Sequence, residues 1–494
     1  MSDGASFRSD ARDQAQSYQA ARDLHITYQQ GESPGKPARF SLPHLLSCFA
    51  DAPLPVSVLS PEAVAAVRMP GLSAERVASE LDALRAASGA PSGADAEPAA
   101  APAPGPPVAC VRADPAAVTR AARELTDDAR TQLSTCAAAL LDHAMPRSPD
   151  GPELDLFAPH VMALLWRPGR DHVRPVAAAR RVRDAYERRG RYEEALPFAD
   201  RTVESTAGAA GPATGSRTGA ATGFGESDAR AADALALGQL HNHCGHFGEA
   251  EAVLRPLLAQ AEQKASGRGL SLAGRTGPSL AEMLRENSKG PFTSRLSPVD
   301  CDVLAHVADV QHALADALYG QRRYAECERL LFTAVGLYWR VLGAAHPARI
   351  LGQLHRARVL GRQRLWLEAV SLVRDALAFR DTAALERDSP RDDALIRLAH
   401  AEVTVAALRS LQEEGASRSR AVGMFPAPVV RFLDRTAGTN ARLDKLTWDD
   451  ARRLAEDAAR ACDRAFGSDH PRTRTARTLL DSAGGPGTPA GTAR

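Results

Sequence analysis

The sequence predicts an all-α protein whose larger part is a solenoid of stacked helix pairs. One helical pattern is repeated in succession between residues 302 and 380, and Tyr324 and Trp366 hold the same place in its two copies, 42 residues apart. Alanine is used heavily and aromatic residues make up only 5% of the chain, which favours helix-on-helix packing over a large sheet. Because one helix pair cannot bury its own apolar stripe, the pairs must stack side by side.

Each central copy is predicted to form a helix, a polar break and a second helix. Apolar residues lie mostly three or four positions apart along 304–318, and the same spacing returns along 327–341. Gly343 suits the left-handed position that ends a helix, and Pro347 suits the first turn of the next helix. Farther along, the spacing predicts one helix over 394–411 and then an irregular stretch.

The turns resemble those of tetratricopeptide repeats of the longer, kinesin-light-chain type. The shared features are a small-x-aromatic-x-x-Ala unit between the helices and a Gly-x-x-His-Pro signature at 343–347 and 467–471. Arg322 and Arg364 take the glycine position of the two central turns, so these repeats are divergent. The residues assigned to structural turns are Gly190, Tyr192, Ala195, Gly245, Phe247, Ala250, Tyr324, Cys327, Trp366, Ala369, His346, Pro347, His470 and Pro471. Both histidine rings can bond turn backbone groups, which predicts a structural part for them.

A second resemblance lies upstream of the repeats. Short apolar helices along 42–87, a long helical pattern ending at Leu141, and an apolar stretch at 157–165 resemble the winged-helix-to-repeat junction of bacterial signal-transduction NTPases of the NB-ARC (STAND) class. In that family a nucleotide-binding domain precedes the junction, where this chain has only about 40 residues. The resemblance therefore implies the rear half of such a regulator without its NTPase.

We expect four parts and three long insertions. The parts are a flexible arm (1–40), a winged-helix-like module (41–165), a tetratricopeptide-type solenoid (175–480) and a disordered tail (481–494), with a disordered insertion at 88–107 and loops at 207–226 and 266–298. Within the arm, 31–37 has the look of a phosphate loop, but its glycine spacing is wrong and Pro37 removes a backbone N–H donor. We interpret it as a linker.

Composition excludes several classes of function. The 61 basic residues nearly balance the 60 acidic ones, so no overall field attracts nucleic acid or an anionic membrane. The seven cysteines form no C-x-x-C pair, which argues against a disulfide framework or a zinc cage. No stretch of 18 apolar residues occurs, and the expectation is a soluble, cytoplasmic protein. Because nucleotide-binding and hydrolase motifs are absent from the sequence, no nucleotide, no cofactor and no catalytic residue are expected.

The densest group of metal-ligand residue types is His241, His243, Cys244 and His246. Three imidazoles would bind a transition metal if they converged. On a helix, however, His241 and His243 point about 200° apart, since each residue turns by about 100°. We therefore predict polar residues at a helix end and no metal site.

The favoured function is a non-enzymatic interaction protein whose groove binds a protein or a peptide. Candidate contacts, expected to be exposed on first helices, are Gln311, His312, Gln353 and Arg356. One alternative is a nucleic-acid-binding regulator that uses the winged-helix-like module, or a sensor subunit that works with a separate NTPase. Nucleic acid is disfavoured because Arg120, Arg123 and Arg130 are accompanied by Glu124, Asp127 and Asp128. An enzyme without a recognisable motif stays open, as do the partner's identity and the oligomeric state.

Overall fold

The computed structural model describes residues 40–67, 69, 72–87, 108–112, 114–146, 148, 153–167, 173–208, 225–272, 296–380, 382–422 and 447–483. The arm, including the linker at 31–37, and the insertion at 88–107 lie outside these residues, as do most of both loops and of the tail. Among the described residues, 18 α-helices carry nearly all of the regular structure. The predicted all-α fold is confirmed. In this part of the chain, none of the helices combines the length and the apolar character needed to cross a lipid bilayer.

The N-terminal part is a helical unit with one very short sheet. Its helices are α1 (Leu42–Leu46), α2 (Pro61–Val67), α3 (Ala74–Ala87), α4 (Pro115–Glu124), α5 (Asp127–Ala144) and α6 (Leu154–Leu165), with a 3-10 helix at Val56–Leu59. Strand β1 (Leu54–Pro55) pairs antiparallel with β2 (Cys110–Val111). Asp114 caps α4 through the amides of Ala116 and Ala117, and Thr126 caps α5, which fixes where both helices begin.

Five helix pairs follow and stack in chain order. They are α7 (Val173–Arg188) with α8 (Tyr192–Gly208), α9 (Gly225–Cys244) with α10 (Phe247–Gly267), α11 (Pro298–Gly320) with α12 (Tyr324–Leu342), α13 (Pro347–Arg362) with α14 (Trp366–Leu377), and α16 (Pro390–Val422) with α17 (Trp448–Phe466). A short α15 (Thr382–Asp388) precedes α16, and α18 (Pro471–Ser482) ends the described chain. Each first helix packs on the second helix of its own pair, and the stack is the predicted solenoid.

Helix α16 is longer than its sequence pattern predicts. It begins at Pro390, four residues before the predicted start, and continues through Gly415 to Val422. Proline suits the first turn of a helix because its missing N–H has no intrahelical partner there. Glycine inside a helix costs only about 1 kcal/mol relative to alanine, so Gly415 does not end this helix. The predicted end at Leu411 was therefore wrong.

The turns within the first four pairs share one backbone geometry. A residue in the left-handed region stands in each: Gly190 (φ 71°), Gly245 (φ 81°), Arg322 (φ 64°) and Arg364 (φ 65°). The next amide then donates to a carbonyl five residues back, as from Arg323 to Leu318 at 2.9 Å. The arginines thus adopt the conformation that glycine adopts in the other two turns.

The core of the N-terminal part continues into the first two pairs. One apolar cluster extends from Phe40 to Leu240 and is rich in leucine. At the other end, the core of α16, α17 and α18 consists mainly of alanine, as at Ala394, Ala458 and Ala476. Small side chains let these three helices approach closely, so the last pair keeps the fold with few large apolar residues in this core.

Candidate functional site

Polar side chains join the first helices of successive pairs. The contacts are Arg180 Nη2 to Asp233 Oδ2 at 2.6 Å (α7 to α9), Asn242 Nδ2 to the Ala313 carbonyl at 2.7 Å (α9 to α11), His312 Nε2 to His355 Nδ1 at 2.7 Å (α11 to α13), and Arg358 Nε to Glu402 Oε2 at 3.2 Å (α13 to α16). We call the surface formed by these polar rows the inner face. It is the candidate functional site because polar groups of both signs converge there.

The centre of the inner face is a cluster of His312, Asp316 and His355. His312 and Asp316 lie one turn apart on α11, so both side chains point to the same side of the helix. His355 Nδ1 lies 3.4 Å from Asp316 Oδ1, and 45% of the Asp316 side chain stays accessible. Burial lowers the pKa of His312 to about 4, so this imidazole is neutral at pH 7. Burial raises the pKa of Asp316, but the neighbouring His355 outweighs it and holds the pKa below its usual value.

Next to this cluster, two arginines of α13 lie against an aromatic ring of α11. Arg362 Nε donates to the Tyr319 hydroxyl at 2.9 Å, and the Arg358 guanidinium lies 5.0 Å from the Tyr319 ring centroid. Arg358 also pairs with Glu402 of α16, which neutralises part of its charge. These contacts hold cationic groups at fixed positions beside the carboxylate of Asp316.

The last helix returns to the first pair and closes the stack. The His470 ring meets the Tyr192 ring edge to face at 6.1 Å, and Arg472 Nη2 lies 3.2 Å from His243 Nε2. A Cβ at Gly190 would lie 2.4 Å from Pro471 Cδ, so the backbone of the first turn touches α18 directly. A pocket of about 290 Å³ lies at this closure, lined among others by Glu187, Tyr192, Phe466 and Arg472.

Two buried thiols of the solenoid are poor nucleophiles. Burial raises the pKa of Cys327 to about 12 and that of Cys462 to about 11, so both thiols stay protonated and are poor nucleophiles. The charged groups pair across helices instead of converging on one reacting position. Nucleophilic catalysis would need a reactive group held beside a base.

The predicted contact residues lie in three different environments. His312 lies on the inner face, as described above. Gln311 and Gln353 are only 3% and 6% exposed, so the expectation that they are exposed was wrong. The reason is stacking: Gln311 lies against Glu262 of the preceding second helix, α10. Arg356 likewise faces α12, with Nη2 2.8 Å from Glu328 Oε1 and its guanidinium over the Phe332 ring. Their role in binding a partner stays a prediction.

The histidines at the end of α9 do not converge. The His243 ring stacks on Tyr192 at 4.5 Å, whereas the His241 ring faces His246 at 5.8 Å. In the described ranges, the group of three metal-ligand residue types whose ligand atoms come together is His312, Asp316 and His355, all within 4.8 Å of one another. These donors lie on the inner face, where the sequence analysis marked His312 as a candidate partner contact and did not mark Asp316 or His355.

The two histidines of the Gly-x-x-His-Pro turns hold equivalent positions. His346 Nδ1 accepts from the Ala348 amide at 3.3 Å, and His470 Nδ1 accepts from the Arg472 amide at 3.1 Å. Each ring thereby caps the helix that its following proline begins. The small members of the turn set lie inward: Ala195, Ala250, Cys327 and Ala369 are all buried.

Sequence reasoning missed Asp316, Tyr319, His355, Arg358 and Arg362. A signal for them exists in the repeat length. Residues one repeat apart on first helices become neighbours in a solenoid. His312 and His355 are 43 residues apart, one more than the 42-residue repeat, and so are Tyr319 and Arg362. A search for polar residues about one repeat apart would therefore have predicted the inner face.

Comparisons with known proteins found similar solved structures and one matching family model. The similar structures include the following two. One, of a Podospora anserina protein described as a kinesin light chain with nearly identical TPR-like repeats, is 17% identical, with a TM-score of 0.28, and covers 50% of this chain and 94% of its own. The other is a Rap protein complexed with Competence and Sporulation Factor. It is 11% identical, with a TM-score of 0.34, and the match covers 74% of this chain and 78% of the Rap chain. The search of curated proteins gave no match. The tetratricopeptide repeat family model matches residues 447–472, which comprise α17, the second Gly-x-x-His-Pro turn and the start of α18, so this segment is similar to a tetratricopeptide repeat.

Proposed function

We propose that the protein is a non-enzymatic interaction scaffold or regulator that binds a protein or peptide segment along its inner face. The observation that carries this proposal is the row of accessible charged and aromatic groups across α11, α13 and α16. Asp316 and Arg358 keep 45% and 32% of their side chains accessible, and Arg362 is exposed. Groups spread over three helices match an extended polypeptide better than one small molecule.

The charges indicate what kind of segment would fit. Asp316 offers a carboxylate, whereas Arg358 and Arg362 offer guanidinium groups within the same row. A segment with a basic and an acidic residue a few positions apart would pair with both. His312 and Arg356 keep accessible surface and stay proposed contacts, while Gln311 and Gln353 would act only through the packing of their helices.

A peptide-display selection tests the proposal. Peptides selected on the full-length protein are measured by calorimetry against the parent and against Arg362→Glu. The matched control is Arg329→Glu, an exposed arginine on the second helix α12. We expect binding to Arg362→Glu to be at least about tenfold weaker, since a reversed charge at the contact costs more than about 1.4 kcal/mol. Equal binding to parent and Arg362→Glu would place the binding surface elsewhere.

A second candidate function is nucleic-acid binding by the N-terminal module. It is favoured by the exposed side chains of Arg120 and Arg123 on α4, beside a shallow depression that includes Thr119. Neighbouring Glu124 pairs with His44 at 3.4 Å. The winged-helix character of 41–165 and a sensor role beside a separate NTPase belong to this alternative. A salt-dependent affinity for duplex DNA that Arg123→Glu abolishes would favour it over the scaffold.

The proposal places the protein in the cytoplasm and gives it neither a nucleotide nor an organic cofactor. All seven cysteines are free thiols, which suits a reducing compartment. Calorimetric titration with Mg-ATP is expected to show no binding, because the sequence provides no phosphate loop.

A further inference from the structure

Three side chains on the inner face have the residue types and the convergence of a metal site. His312 and Asp316 come from α11, and His355 comes from α13, one repeat later. One ligand atom from each lies within 4.8 Å of the other two. Because the cluster joins two first helices, its geometry is fixed by the stacking of the third and fourth pairs rather than by a mobile loop.

The arrangement of the ring nitrogens suits a cation. His312 Nε2 and His355 Nδ1 are 2.7 Å apart and point toward each other. A divalent ion placed between them would be ligated by a ring nitrogen of each histidine. The Asp316 carboxylate, which lies 3.4 Å from His355 Nδ1, then supplies the anionic ligand. In a tetrahedral site, metal–ligand bonds of about 2.0–2.2 Å hold the ligand atoms roughly 3.3–3.6 Å apart, so the two ring nitrogens would separate by roughly 0.6–0.9 Å and the carboxylate would move toward the rings.

The surroundings support a cation without adding a competing ligand. Arg358 acts on Asp316 electrostatically, but its own charge is paired with Glu402 at 3.2 Å. On the other side, the His312 ring lies edge to face with Tyr338 at 6.2 Å, and the Tyr338 hydroxyl donates to Asp309 at 2.8 Å. The accessible side of Asp316 leaves a coordination position open to the groove.

We propose that His312, Asp316 and His355 bind a divalent first-row transition ion of the Zn²⁺ type, with water or a partner group completing the shell. Two imidazoles and one carboxylate suit such an ion better than they suit Ca²⁺ or Mg²⁺, because Ca²⁺ and Mg²⁺ select oxygen ligands. The ion would link α11 to α13 and thereby fix the third pair against the fourth. This proposal differs from the sequence-based expectation of no metal, which stays a prediction. With the ion bound, Asp316 would no longer offer a free carboxylate to the proposed partner.

Metal titration of the full-length protein tests the site. Chelator-treated protein is titrated with Zn²⁺ by calorimetry and with Co²⁺ by visible absorption. The parent should bind one ion more than His355→Gln, and Asp316→Asn should weaken that ion's binding at least about tenfold. The control is His306→Gln, which removes a histidine from the same helix outside the cluster. It should leave stoichiometry and affinity unchanged.

Cysteine thiolates elsewhere in the chain could compete with the cluster for the ion. The Co²⁺ spectrum distinguishes thiolate ligands from imidazole and carboxylate ligands. The ion at this site should give d–d absorption without the near-ultraviolet thiolate charge-transfer band. Its addition should raise the melting temperature of the parent and of the control His306→Gln, but not that of His355→Gln. Equal stoichiometry in parent and His355→Gln would overturn the proposal. Equal affinity in parent and Asp316→Asn would overturn it too, and so would a spectrum due to thiolate ligation alone. Circular dichroism establishes that each variant is folded. If His355→Gln is not, the near-isosteric Asp316→Asn decides.

Discussion

The turn of the first pair and the turn of the third pair have the same backbone but different residues. Gly190 and Arg322 both adopt a left-handed conformation, and the amides that follow them close the same hydrogen bond at 2.9 Å. The left-handed conformation costs a residue with a Cβ roughly 1–2 kcal/mol, and glycine avoids that cost. The third pair therefore keeps a turn that its sequence does not favour locally.

What distinguishes the two turns is the space beside them. A Cβ at Gly190 would collide with Pro471 and His470 of the last helix, whereas Arg322 is exposed. Glycine is thus needed at 190 for two reasons, its backbone conformation and the approach of α18. At 322 only the backbone reason applies, and the packing of the pair overrides it. Tertiary packing therefore fixes the backbone geometry of both turns. The contact with α18 additionally restricts position 190 to glycine.

The largest loss of stability is expected when the aromatic residues that follow the turns are replaced by alanine. Tyr324→Ala and Trp366→Ala should each lower the free energy of unfolding by roughly 3–5 kcal/mol. Trp366 packs against Gly361, where an added Cβ would lie 2.5 Å from the ring, and its Nε1 donates to Ser410 Oγ at 2.8 Å. Urea denaturation measures the loss, with Trp366→Phe as a control that keeps a ring. Variants that melt within a degree or two of the parent would refute the repeat register.

Glycine-to-alanine substitutions in two turns separate the cost of backbone strain from the cost of the contact with α18. Gly190→Ala should destabilise by roughly 2–4 kcal/mol, because backbone strain adds to overpacking against α18. Gly245→Ala should cost only about 1–2 kcal/mol, since nothing lies within 4 Å of the added Cβ. Thermal melting of both variants provides the measurement. Equal losses would show that the closure contact contributes nothing to stability.

Acid should weaken the same closure. Burial, followed by the charges of Arg472, Arg391 and Arg474, lowers the pKa of His470 from 6.5 to about 4. The unfolded chain therefore binds the proton more readily, so this stabilisation is complete above about pH 6.5 and is lost as the pH falls toward 4. His470→Asn retains a helix cap without titrating and should flatten the stability profile between pH 7 and 4.5. A profile that His470→Asn leaves unchanged would exclude this histidine as a source of the acid sensitivity.

The smallest effect is expected where glycine replaces arginine. Arg322→Gly and Arg364→Gly relieve left-handed strain of about 1–2 kcal/mol but add unfolded-chain entropy worth about 0.4–1 kcal/mol. A net gain of about 0.5–1 kcal/mol should appear as a slightly higher melting temperature. A loss in both variants would show that the arginine side chains stabilise these turns through contacts of their own.

Local pattern was enough for the helix pairs but not for the closure. The spacing along 304–318 and the first Gly-x-x-His-Pro turn placed α11 and α13 correctly, since periodicity and capping are local properties. The contact of Gly190 with Pro471 joins positions at opposite ends of the solenoid, and no short-range pattern encodes it. The inner face lies between these cases. His355 could be predicted from His312 by adding about one repeat length. Gln311 and Gln353 were wrongly predicted to be exposed, because exposure depends on which side of a first helix the preceding pair covers.

The turns maintain the stack, and the inner face is the surface that we propose binds the partner. A photoreactive amino acid placed at position 362 on the inner face, and in a second protein at exposed position 329 on α12, tests this assignment inside the source cell. We expect one reproducible crosslinked partner from position 362 and none from position 329, with both proteins melting like the parent. Crosslinking of the same partner from 329 but not from 362 would show that the partner binds another surface.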